Sequence, residues 1–176
     1  EPGALTFLEG TPSPSNDVVA TWLQENVLCP RTFKQPQLYV SGPPNSGKTS
    51  LVLSMEEAGL RVFRMPYDGK WYDSYVDNLY DIVVLDEFNG QKTIQDLNLW
   101  LEGGPMMVPR RGQTPYEKRQ NLPVLILSNY TLEEAYNNTS FERLAPIRAR
   151  LQFIELPPDS FLDISFEDTE TLYDSE

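Results

Sequence analysis

The chain has 176 residues, 40% of them hydrophobic, which is enough for one domain around one core. It contains no histidine and one cysteine, Cys29, so these residues hold no His-based catalyst, no His- or Cys-built metal site and no internal disulfide. A net charge of −12 argues at first against a nucleic-acid partner, but eight acids and no base follow Arg150, so the body before it is only mildly acidic.

Residues 1–15 are rich in Pro, Gly and Ser and read as a leader or linker. They show no signal-peptide pattern, and the missing initiator Met suggests a fragment or processed chain. Asn16 or Asp17 is placed to cap a helix whose Val18, Val19, Trp22, Leu23 and Val27 share one face, closed by Pro30. The segment 16–35 either helps subunits associate or packs on its own domain. Gln37–Ser41 reads as a short buried strand and Ser50–Glu57 as a helix. Between them Gly42, Pro43, Pro44, Asn45, Ser46, Gly47, Lys48 and Thr49 fit G-x-x-x-x-G-K-[ST], the phosphate-cradling P-loop, in the strand–loop–helix context that motif needs. Backbone N–H groups of such a loop, running on to Ser50, converge on one anion, and the helix adds its positive end. Lys48 is expected on the β- and γ-phosphates of ATP, and the Thr49 hydroxyl on Mg²⁺.

Gly59 ends that helix, and Leu60–Met65 alternates like a strand. Asp81–Asp86 is an apolar run ending in acid, as a strand buried on both faces would be. Thr93 caps a helix running through Leu101 to Gly103-Gly104. Leu122–Leu127 is another buried strand, Thr131 to Glu134 a capping box, and Leu151–Glu155 a last strand. Strands alternating with helices predict an α/β sandwich, a P-loop NTPase with a largely parallel central sheet. No apolar run approaches the roughly 20 residues of a membrane span. Residues 157–176 read as a solvated acidic extension, with Phe161, Phe166 and Tyr173 leaving a docking segment as the alternative.

Three further pieces belong to the same machine. A P-loop enzyme needs an acid at a neighbouring strand tip to hold Mg²⁺, and Asp86 sits at one. Glu87 follows it, placed to act as general base on water. Asn129, after the strand ending at Leu127, can sense the γ-phosphate or orient the water. Between them lie Arg110, Arg111, Lys118 and Arg119, a compact basic group in an acidic protein. Taken alone these residues suit either a solvated loop or a hairpin offering Arg110 and Arg111 to the phosphates of a DNA strand.

Gly42 to Thr49, Lys70-Trp71-Tyr72-Asp73-Ser74-Tyr75, Val84 to Phe88 and Leu125 to Asn129 together resemble the superfamily 3 helicase domain of replication-initiator (Rep) proteins of circular single-stranded DNA viruses and related plasmids. The K-W-x-D-x-Y segment carries most of the specificity, since a generic P-loop ATPase does not need it. The likeness covers about 36–156 and implies an AAA+-like ATPase that works as a ring, usually a hexamer, on single-stranded DNA. It implies that Lys48, Thr49, Asp86, Glu87 and Asn129 hold the roles given above, and that the basic hairpin contacts DNA. It also implies an arginine finger lent by the neighbouring subunit, for which Arg150 is the first choice, Arg148 the second and Arg143 the third. Such initiators usually carry an N-terminal nicking endonuclease with a His-hydrophobe-His motif; with no histidine in these residues, the chain is expected to be the ATPase part of a longer initiator. A eukaryotic virus would use it in the host nucleus, a plasmid in the cytoplasm. The rival reading is a P-loop switch or kinase that ignores nucleic acid.

Overall fold

The computed structural model describes residues 7–8, 13–66 and 72–167. In chain order the elements are β1 (Phe7–Leu8), α1 (Pro14–Asn26), β2 (Gln37–Ser41), α2 (Lys48–Glu57), β3 (Val62–Arg64), β4 (Ile82–Leu85), α3 (Ile94–Glu102), β5 (Met106–Arg110), β6 (Gln113–Lys118), β7 (Val124–Ser128), α4 (Leu132–Ala135), α5 (Phe141–Arg150), β8 (Leu151–Glu155) and β9 (Ser165–Phe166). Five strands form one sheet in the order β3-β4-β7-β2-β8, and every pair in it is parallel. Parallel pairing explains the sequence of the inner strands. β2, β4 and β7 are buried along their whole length, so both of their faces must be largely apolar.

The pleat divides the core in two. Leu38 and Val40 of β2 face α1 and α2, packing with Trp22, Leu23, Leu51 and Met55. Tyr39 faces the other way, into a layer built on Phe88, Trp100, Leu144 and Ile147. Helix α1 therefore packs on its own domain through Val19, Trp22, Leu23 and the following Val27. Among the described residues no helix is long and apolar enough to cross a membrane.

Several expectations need correction. The cap of α1 is Ser13, whose hydroxyl accepts from the Asn16 N–H at 3.0 Å, and Pro14 opens the helix. The helix thus starts inside the supposed leader; residues 1–6 and 9–12 lie outside the described residues. Helix α5 was not anticipated, because Pro146 within it reads as a breaker; its cap, Ser140, accepts from Arg143 N–H. The start of the acidic extension is docked. Leu162, Ile164 and Phe166 are buried in the α1–α2 layer while Asp163 and Glu167 stay exposed, and β9 pairs antiparallel with β1. Period-two alternation buries the apolar face and leaves the acids in water, so net charge did not forbid packing. Residues 168–176, Tyr173 included, lie outside the described residues.

Candidate nucleotide cleft and basic hairpin

Parallel strands end together, and here the tips of β2, β4 and β7 meet at one end of the sheet. Their loops enclose a cleft of about 370 Å³ lined by the stretch 44–50, Asp86, Glu87, Asn129 and Phe161. The P-loop runs from β2 into α2, and Gly47, the residue before the helix, has φ +88°. A Cβ there would lie 2.6 Å from the Leu162 carbonyl oxygen, and one at Gly42 would lie 2.8 Å from Leu156 Cβ. Both glycines are therefore required by close approach of the C-terminal segment, and Gly47 also by its left-handed backbone. That segment is fastened to the loop by hydrogen bonds from Leu156 N–H to Ser41 C=O (2.7 Å) and from Leu162 N–H to Ser46 C=O (2.8 Å). Sequence reasoning missed this wall of the cleft; its only signal was the apolar alternation after Pro158.

Lys48 is buried, and its ammonium donates to Gly42 C=O (2.9 Å), Pro43 C=O (2.8 Å) and Ser46 Oγ (2.9 Å). Burial lowers its pKa, and the Asp86 carboxylate opposes that shift. Thr49 Oγ1 donates to Asp86 Oδ2 at 3.2 Å. These two oxygens fit Mg²⁺, a hard cation that takes one or two protein oxygens and completes its shell with phosphate and water. Among the described residues no cluster of three or more His, Cys, Asp or Glu exists to hold a metal without such help. Asp86 Oδ1 accepts from Glu87 N–H at 2.9 Å, and Glu87 is exposed with φ +53°. A non-glycine residue held in the left-handed region is strained, as residues at functional sites often are. Ser128 Oγ donates to Phe88 C=O (2.6 Å) and accepts from Tyr130 N–H (2.9 Å), which ties the tips of β4 and β7 together and fixes Asn129 between them. Lys48, Thr49, Asp86, Glu87 and Asn129 thus converge on one cleft. Gly42 and Pro43 contribute carbonyls behind it, not its lining.

The four basic residues do not stay together. β5 and β6 form an antiparallel hairpin that turns at Gly112, φ +67°. Arg111 is exposed at its tip, with its N–H on Asp73 Oδ1 at 2.8 Å. Arg110 is half-buried, stacked 4.3 Å over the Tyr116 ring and donating to Tyr75 C=O. Lys118 lies at the base, roughly 20 Å of strand away. It is 1% exposed, donates to Gln120 C=O at 2.7 Å and sits 5.1 Å from the Trp100 ring. Its burial lowers its pKa to about 8. Lys118 is therefore withdrawn as a DNA contact, because its place opposite Met106 in the pleat turns it into the core. Arg119 is exposed and pairs with Glu117 at 2.8 Å.

The segment that carried the resemblance serves the hairpin. Lys70 and Trp71 lie outside the described residues. Tyr72 N–H donates to Pro109 C=O (2.8 Å), and Tyr116 OH accepts from Asp77 N–H (3.0 Å). The Asp77 carboxylate accepts from Tyr75 OH (2.9 Å), Arg119 N–H (2.9 Å) and Gln120 N–H (3.1 Å). Burial favours its neutral form, but these hydrogen bonds outweigh burial and hold its pKa below the ordinary value.

Arg150 ends α5 just before Leu151, which pairs with Gln37 at the start of β2. That is the end of the sheet opposite the P-loop, roughly 16 Å away along the strand. Its Nε is buried and has no hydrogen-bond partner among the described residues. Arg148 pairs with Glu133 and lies against the Phe141 and Phe153 rings. Arg143 is exposed in the first turn of α5. None of the three lines the chain's own cleft.

No family model matches the chain. Over 107 residues, 61% of its length, it is 31% identical to the replication-associated protein of Canary circovirus, and the match spans 34% of that protein. The chain thus spans about a third of the curated relative it matches. Its fold is similar to that of the solved JCV helicase, with a TM-score of 0.54 and 17% identity over 93% of this chain and 44% of that one. NtrX from Brucella abortus, solved in complex with ADP, superposes at a TM-score of 0.47 with 11% identity, over 85% of this chain and 38% of that one. The circovirus relative bears out the motif-based resemblance to Rep proteins, and the JCV structure bears out the P-loop α/β fold.

Proposed function

We propose that this chain is the ATP-hydrolysing motor of a viral replication initiator, moving single-stranded DNA through a ring of copies. The observation that carries this reading is the convergence of Lys48, Thr49, Asp86, Glu87 and Asn129 on one cleft. In it, the P-loop N–H groups and Lys48 hold the phosphates of ATP. Thr49 and Asp86 would hold Mg²⁺, which when bound offsets charge on those phosphates. Asn129 orients a water, and Glu87 takes its proton as the water oxygen bonds the γ-phosphorus. The bond from that phosphorus to the β–γ bridging oxygen breaks, and ADP and phosphate leave.

Arg150 is remote from its own cleft, so as a finger it would serve a neighbour's nucleotide. A finger lent head to tail from copy to copy closes into a ring, and the likeness to Rep helicase domains makes that ring a hexamer. Arg111, at the exposed hairpin tip, is our contact for the DNA backbone, with Arg110 holding the hairpin's shape. By the same likeness we assign a nicking domain to the full-length protein and its work to the host nucleus.

The test is a pair of variants. Lys48→Ala should lose both ATP binding and turnover. Glu87→Gln should keep binding and lose about 10²–10⁴-fold in turnover. A Glu87→Gln protein that hydrolyses ATP at the wild-type rate would remove the proposed base.

A further inference from the structure

We infer that Phe161 is the platform on which the nucleotide's base stacks, so the segment after β8 completes the nucleotide site. This rests on the reading of the cleft as an ATP site. Strand order sets the direction in which the nucleotide lies. β4 and β7 lie on one side of the P-loop strand β2, and β8 lies on the other. The carboxylates and Asn129 come from the β4 and β7 tips, so the γ-phosphate points to that side. The base must then leave the P-loop toward the β8 side.

The chain that follows β8 occupies that side. It passes over Gly42 with Leu156, turns through a Ser160 N–H to Pro157 C=O hydrogen bond of 2.9 Å, and bonds Ser46 C=O through Leu162 N–H. Its next apolar side chains, Leu162, Ile164 and Phe166, all turn into the core. Phe161 does the opposite. It is 55% exposed, lines the cleft, and has a ring carbon 3.1 Å from where a Gly47 Cβ would be. It is the one aromatic ring among the cleft's lining residues. An exposed phenylalanine on an otherwise polar cleft contributes little to folding. A flat base would cover it, and base–aromatic stacking is worth about 1–3 kcal/mol, or roughly 5- to 150-fold in affinity.

The experiment compares ADP with tripolyphosphate, which has the phosphates and no base. Titration calorimetry with Mg²⁺ is run on wild type, Phe161→Ala and Phe161→Trp. Phe161→Ala should weaken ADP at least 5-fold and leave tripolyphosphate unchanged. Phe161→Trp should restore ADP binding, with indole fluorescence that ADP quenches and tripolyphosphate does not. The inference is overturned if Phe161→Ala binds ADP like wild type, or if it weakens both ligands equally, which would mean the residue only shapes the loop. If wild type binds neither ligand, the nucleotide reading itself falls.

Discussion

Asp77→Ala should loosen the hairpin without touching the nucleotide cleft. The Asp77 carboxylate accepts three hydrogen bonds, two of them from the backbone N–H groups that follow β6. Bonds to a charged acceptor are worth about 1.5–3 kcal/mol each when shielded and less where water can substitute. Arg119 is exposed and Asp77 is half-buried, so each bond falls below that range, to about 1 kcal/mol, and the three sum to about 3 kcal/mol. Asp77→Asn keeps one acceptor oxygen and should lose about half of that. Urea unfolding gives the stability change. Hydrogen exchange should quicken at Arg119 and Gln120, and single-stranded DNA binding should weaken while ADP binding holds. The carboxyl's lowered pKa means that its contribution is full above the unfolded value and fades as pH falls through the folded one. The Asn variant should lack that acid sensitivity. An Asp77→Ala protein within about 0.5 kcal/mol of wild type, with unchanged exchange, would refute the clamp.

Leu162→Ala should cost about 2–5 kcal/mol and lower Tm by roughly 5–15 °C in differential scanning calorimetry, because the docked segment is part of the core. Lys118 has a folded pKa of about 8, below its unfolded value, so the folded state binds fewer protons between the two. Stability measured by urea unfolding should therefore rise from pH 8 toward pH 10, by up to about 1.4 kcal/mol per pH unit, and Lys118→Met should abolish the rise. Above pH 10 the buried Tyr39, whose pKa burial raises to about 12, works in the opposite direction. Arg111→Ala should reduce the slope of log affinity against log salt for single-stranded DNA by about one, as expected for one lost phosphate contact.

The P-loop, the strand-tip acids and Asn129 were legible because each depends on local chain: a glycine turn, or a polar residue closing an apolar run. Parallel pairing then brought them together by topology alone. Lys118 was misread because adjacency in sequence hid the pleat, which sends Arg119 to solvent and Lys118 under Trp100. The acidic extension was misread because net charge was weighed over alternation, although Leu162, Ile164 and Phe166 already had a strand's period. Helix α5 was hidden by Pro146. The role of the segment 72–80 could not be read at all, since its partners in β5 and β6 lie about 40 residues away.

In the proposed ring, each active site is completed by a second copy of the chain. Subunits carrying Lys48→Ala have no working cleft but an intact Arg150, and subunits carrying Arg150→Ala have the reverse. Each should be inactive alone, and ATP hydrolysis measured across mixing ratios should recover, peaking near equal amounts. Hydrolysis that stays absent at every ratio, or an Arg150→Ala protein that is fully active alone, would contradict it.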